Sequence, residues 1–145
     1  HAALIAAGVH NPVSLMDKLM ALVKKEFYYS SLATSHYPNH GTFCTDVCHS
    51  VPGILIEMLV GSTEEGIDLL PALPEGFGHG CIRGVRTRCG VTVRELEWDV
   101  KKGKVTVKLY SDRSKTIRLR MGGCSRVVSL KGGKEQSMSI DIPAV

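Results

Sequence analysis

Residues 40–59 read HGTFCTDVCHSVPGILIEML, a polar, turn-rich loop that runs directly into a nearly all-apolar helix. The loop places Asp46 among Cys44, Cys48 and His49, and Ser50 with Pro52 supplies the expected N-cap and first-turn residue of a helix over residues 51–60. Apolar on almost every side, a helix of this kind needs cover all round. A carboxylate at such a loop-to-helix junction has the placement of an active-site residue, although many aspartates there only cap the loop.

Working outward from this junction, the chain is helical before it and β after it. Residues 2–8 form a small-residue helical end closed by Gly8, and the opening HAALIAAG reads like the middle of a helix rather than a natural start. Asn11 and Pro12 then make a cap and first-turn pair for a helix to about residue 26. Leu15, Met16, Leu19, Met20, Val23 and Phe27 recur at three-to-four spacing opposite Asp17, Lys18, Lys24 and Lys25, so that helix buries one face. Residues 28–49 are expected to form a loop rich in Tyr, Ser, His and Asn, of about twenty residues, and loops this long are usually functional or mobile.

Beyond Gly61 the period changes to two: Val85, Thr87 and Cys89; Val91 and Val93; Leu96, Trp98 and Val100; Val105, Val107 and Leu109; Ile117, Leu119 and Met121; Met138, Ile140 and Ile142. Lys102-Gly103, Gly122-Gly123 and Gly132-Gly133 separate these runs at hairpin spacing. The expected fold class is α+β, with residues 1–61 helical and residues 62–145 an antiparallel β-sandwich.

Composition narrows the function. The net charge of +4 lies wholly in the second half, because residues 61–145 hold fifteen Lys/Arg against ten Asp/Glu. These charges mostly alternate with apolar residues, as on a solvated sheet face, and only Trp98 and Tyr110 are available there for base stacking, so no nucleic-acid partner is expected. No segment reaches the roughly 18 apolar residues of a membrane span. Five cysteines leave at least one thiol free, and Cys81, Cys89 and Cys124 read as small buried strand residues. His36, His40, Cys44, Cys48 and His49 supply thiolate and imidazole of the kind zinc takes. Pro38 and Gly41 break the helix that would align them, so neither a metal nor another cofactor is expected.

Aligned without gaps, residues 40–59 resemble the motif HPPFQIDGNFG and the following helix ending in EML of the glycoside hydrolase family 95 α-L-fucosidases. His40, Phe43, Asp46, Glu57, Met58 and Leu59 match, while Val47, Cys48, His49 and Ser50 replace the Gly-Asn-Phe-Gly. Residues 67–98, IDLLPALPEGFGHGCIRGVRTRCGVTVRELEW, are similar to the family's LLPALP run, its Gly/Pro loop, and its G-x-(V/I)-x-G-(L/V)-R-x-R-(G/C)-G-x-x-V segment followed by tryptophan.

The resemblance implies the carboxy-terminal end of a longer enzyme: the last helices of an (α/α)6 barrel followed by a β-sandwich domain, in a periplasmic or extracellular setting. It implies a carbohydrate substrate, an α-L-fucoside or a related glycoside, and the rest of the catalytic barrel as partner. In that family hydrolysis inverts the anomeric centre. A glutamate in an earlier part of the barrel is the acid, and the aspartate matching Asp46 helps an asparagine elsewhere to activate water. Neither the glutamate nor the asparagine has a matching motif here, so the isolated chain is expected to be inactive. His40 and His49 are the candidate sugar-binding residues. Glu57 is expected to make a structural hydrogen bond, and Arg86 and Arg88 to pin strands or the contact with the helical part. The competing expectation is a non-catalytic carbohydrate-binding or structural β-module whose helices are a docking remnant.

Overall fold

The computed structural model describes residues 1–25, 27–29, 33–37 and 42–142. The order of elements is α1 (Ala2–Gly8), α2 (Pro12–Lys24), β1 (Tyr28–Tyr29), β2 (Ala33–Thr34), α3 (Thr45–Leu59), β3 (Val60–Ser62), β4 (Gly66–Leu69), β5 (His79–Arg86), β6 (Thr92–Asp99), β7 (Lys104–Ser111), β8 (Lys115–Met121), β9 (Cys124–Leu130) and β10 (Lys134–Asp141). The chain is α+β, as the change of period implies.

Two four-stranded sheets face each other, one ordered β10-β7-β6-β5 and the other β3-β4-β8-β9. Val93, Leu96, Trp98, Val105, Val107 and Leu109 from the first pack against Ile67, Leu69, Ile117, Leu119, Met121, Val128 and Leu130 from the second. Val93 and Leu96 are three apart and would lie on opposite faces of a regular strand. A bulge between Val93 and Glu95 absorbs the extra residue, and both side chains point into the core.

The sandwich departs from the expected pattern in three places. It is not wholly antiparallel, because β4 pairs parallel with β8. The Gly132-Gly133 turn joins no hairpin: β9 belongs to one sheet, while β10 crosses to pair with β7 in the other. Thr87 to Cys89 form a turn rather than a strand, closed by Thr87 N–H donating to Val91 O at 2.9 Å, with Gly90 at φ 73°. The Lys102-Gly103 and Gly122-Gly123 turns do join the hairpins β6–β7 and β8–β9.

The three helices enclose a second, smaller core of Ala3, Ala6, Ala7, Leu15, Leu19, Ile54 and Met58, with Ala72 beneath it. Asn11 caps α2 by accepting from Ser14 N–H at 2.9 Å, with Pro12 at the first helical position. The amphipathic reading of α2 holds for Leu15 and Leu19, whereas Val23 on the same stripe is 60% exposed.

Helix α3 begins at Thr45, six residues before the expected start. Pro52 therefore lies inside the helix rather than in its first turn, and Ser50, instead of capping, donates its hydroxyl to Asp46 O. The physical reason is that residues 45–50 contain no glycine, and Asp46 in the first turn complements the helix dipole. Nor is α3 covered all round: Ile54 and Met58 are buried, while Leu55 and Ile56 are exposed. No described helix is long and apolar enough to cross a membrane.

Candidate active site

The start of α3 is held by the short β1–β2 hairpin. Cys44 occupies the N-cap in extended conformation, its N–H donating to Thr34 O at 2.8 Å, and Thr34 Oγ1 donates in return to Cys44 O. Ser35 bridges Phe43, Ser35 Oγ donates to Thr42 O at 3.0 Å, and His36 N–H donates to the same carbonyl at 2.8 Å. These bonds fix the backbone on which Phe43 and Asp46 are carried.

Asp46 sits in the first turn of α3 with its side chain exposed, where the helix N-terminus favours a negative charge. His49 follows three residues later, also exposed, so its side chain neighbours that of Asp46 on the helix surface. Cys44 and Cys48 are half-buried free thiols on either side. His40 lies outside the described residues. Phe43 is 65% exposed, which presents an aromatic ring beside the Asp46 turn. It was not singled out by reasoning on charge and nucleophiles, yet its place in the F-x-x-D spacing was a signal for it.

Glu57, the other carboxylate of α3, accepts from Arg88 Nη2 at 3.3 Å and so links the helix to the β5–β6 turn. Eleven residues separate it from Asp46, which at a 1.5 Å rise is about 16 Å along the axis. Paired glycosidase carboxyls stand about 5–9.5 Å apart. Glu57 is therefore no partner for Asp46, and its role is the structural one expected. Arg86 reaches Asp112 at 4.0 Å, between the β5 end and the β7–β8 connection.

The far end of α3 is anchored by the chain leaving β4. Leu70 N–H donates to Leu59 O at 2.8 Å and Ala72 N–H to Met58 O at 3.2 Å. The LLPALP run thus satisfies two carbonyls at the helix end that would otherwise lack partners. On β4 and β8, Arg120 makes a two-pronged ion pair with Asp68, Nε to Oδ1 and Nη2 to Oδ2, which raises the already high guanidinium pKa through that hydrogen bond. Fifty-two residues separate the two, so no local spacing could have announced the pair.

The profile of the glycoside hydrolase family 95, C-terminal domain, matches residues 61–142, which takes in β4 to β10. The chain is also similar to "Alpha-L-fucosidase 2" of Arabidopsis thaliana, 32% identical over 118 residues. That alignment covers 81% of this chain and extends upstream of the sandwich, while the chain spans 13% of the length of that relative. With the motif residues around Asp46 and Arg88 carried on one α3–sandwich unit, the chain belongs to glycoside hydrolase family 95 and contains that family's C-terminal domain.

Proposed function

We propose that this chain is the C-terminal part of an inverting glycoside hydrolase acting on α-L-fucosides or related glycosides. In this reading residues 1–61 complete the catalytic (α/α)6 barrel and residues 62–145 form the β-domain that supports it. Asp46 is the residue contributed to catalysis, its carboxylate orienting the amide that activates water. The general acid and that amide come from the rest of the barrel, and His40 and His49 contact sugar hydroxyls. The exposed ring of Phe43 adds an apolar surface for a sugar face.

One observation carries the proposal. Asp46 is presented, exposed, at one end of a helix whose other end is tied to the sandwich by Glu57–Arg88 and by the carbonyls of Met58 and Leu59. An exposed carboxylate on a helix held at both ends, at Cys44 by Thr34 and at Glu57, Met58 and Leu59 by the sandwich, suits positioning better than loop capping. The similarity of the chain to a protein named as an α-L-fucosidase supports the substrate class. Hydrolysis of a glycoside needs a second carboxyl group on the opposite side of the bond. The 145-residue chain alone is therefore inactive.

The test is Asp46→Asn in the full-length parent, which keeps shape and removes charge. Turnover of an aryl α-L-fucoside falls about a hundredfold or more, the scale of lost acid–base assistance, with KM little changed. Near-normal turnover with a lower melting temperature would instead make Asp46 a helix-end residue only.

A further inference from the structure

A cavity of about 300 Å³ lies where the α1–α2 turn meets the ends of β4 and β8, lined by His10, Asp68, Leu70, Pro71, Arg120, the Gly122-Gly123 turn and the first two residues of β9, Cys124 and Ser125. It is not the Asp46 region. Leu70 is bonded to the last turn of α3 at Leu59, thirteen residues and about 20 Å along the helix from Asp46.

Three features mark this cavity as built to receive something. The only two non-glycine residues with left-handed backbone among the described residues, His10 at φ 57° and Leu70 at φ 52°, both line it. Strained backbone of this kind gathers at ligand sites. The Asp68–Arg120 fork forms part of its wall, and its members are largely covered, with side chains 13% and 32% exposed. Asp68 takes up Nε and one bond from Nη2 of Arg120, and among the described residues Nη1 makes no hydrogen bond. Donors on the guanidinium and lone pairs on the carboxylate therefore stand side by side.

Charge selects the ligand class. Arg120 and Asp68 neutralise each other as an ion pair, and the small adjoining cavity that shares Arg120, Met121, Cys124 and Ser125 adds one residue of each sign, Arg126 and Asp141. An anion or a cation finds no net attraction here, whereas a donor–acceptor fork matches vicinal hydroxyls, each of which donates and accepts. The volume is at the lower end of the roughly 300–1,000 Å³ of small-molecule sites and suits one ring. Stacking on a large aromatic ring is not the mode of binding in this cavity, since no Phe, Tyr or Trp is among the described residues that line it.

We infer that this cavity is an ancillary site for a single neutral sugar ring, held by vicinal hydroxyls on the Asp68–Arg120 fork and by Ser125 and His10. The site does not depend on the role proposed for Asp46.

Saturation-transfer difference NMR on the 145-residue chain, which reads ligand protons whatever the size of the protein assembly, tests it with methyl α-L-fucopyranoside as probe. Saturable transfer with a Kd of about 1–10 mM is expected. It weakens about tenfold or more in Arg120→Lys, which loses the fork, and in Ser125→Leu, a change on an exposed strand position that leaves the fold intact. Asp46→Asn leaves it unchanged. The inference is overturned by absence of saturable transfer, by equal transfer to glycerol, by tighter binding of methyl glucuronide, or by a signal lost in Asp46→Asn but kept in Ser125→Leu.

Discussion

Arg88 Nη2 stands 3.3 Å from Glu57 Oε1, joining the one charged residue of the apolar half of α3 to the turn between β5 and β6. The same arginine donates its backbone N–H to Ser62 Oγ at 3.1 Å, so the turn, β3 and α3 meet at one residue. The connection is short in space and long in sequence, 31 residues for the side-chain bond. It adds a side-chain tether to the backbone bonds at Met58 and Leu59 by which the end of α3 is held to the sandwich.

The ion pair is partly solvated, with Arg88 69% exposed, and exposed pairs contribute about 0–1 kcal/mol. A double-mutant cycle of Glu57→Gln and Arg88→Met on urea unfolding should give a coupling of at most about 1 kcal/mol. If the full-length protein has the glycosidase activity proposed above, the same substitutions should lower its kcat more than the stability change accounts for, because α3 loses a tether. A coupling above about 2 kcal/mol with unchanged kcat would make the contact purely structural.

Gly80 on β5 faces Trp98 on β6, and a Cβ at that position would come within 2.4 Å of the indole ring. The indole N–H donates to Phe77 O at 2.7 Å and cannot move away without losing that bond. Gly80→Ala should therefore cost about 2–4 kcal/mol from overpacking and the lost hydrogen bond. For a chain of this size the melting temperature falls by roughly 5–15 °C. Emission of the single tryptophan reports it directly, and an unshifted spectrum with unchanged melting would show that the strand can give way.

Stability should fall in acid through Glu95. Lys108 Nζ at 2.8 Å and Arg83 Nε at 2.6 Å grip its two oxygens, and those hydrogen bonds, Lys108 first, hold the carboxyl below its ordinary 4.5. Asp99 is held below its ordinary value in the same way, chiefly by the Lys102 side chain. A carboxyl depressed in the folded state adds stability that is fully present above the unfolded value and is lost as pH falls through the lower, folded one. Urea midpoints should therefore be flat from about pH 5 upward and decline below about 4.5. Glu95→Gln flattens part of that decline, and high salt weakens it. An acid limb unchanged in Glu95→Gln would assign it to other carboxyls.

Where structure follows from neighbours in sequence, it was legible. Asn11-Pro12 announced the start of α2, and the alternation through Val105, Val107 and Leu109 announced β7, because capping and pleat are local. The start of α3 was not, since the run Thr-Asp-Val-Cys-His-Ser at 45–50 is largely loop-like in composition, and the bonds that hold its start at Cys44 come from Thr34, ten residues away. The short strands β3 and β4 were hidden too. Gly66 lies so close to Arg118 O that no side chain fits, and nothing local to Gly66 reveals the parallel partner. Strand β9 carries exposed residues from Cys124 to Val127 and so shows little alternation. At the site, Asp46 and His49 were visible as residue types near a boundary, but their relation as neighbours on one helix followed only from the earlier helix start.

The last prediction concerns what α1 and α2 leave uncovered. Their shared core with α3 is built largely of alanines, Leu15 and Leu19, while Ile5 is 64%, Val9 67%, Val13 72% and Val23 60% exposed. Side chains of this kind each contribute roughly 1.5–3 kcal/mol once covered, and contiguous apolar surface drives association. If these helices complete a barrel, the 145-residue chain by itself should self-associate with rising concentration and bind a hydrophobic dye. Val13→Lys with Val23→Lys should weaken that association about tenfold or more in sedimentation, while the unfolding of the sandwich, followed through Trp98, stays put. A chain that remains monomeric at high concentration without dye binding would show that α1 and α2 need no cover, and would favour a self-contained module over a part of a barrel.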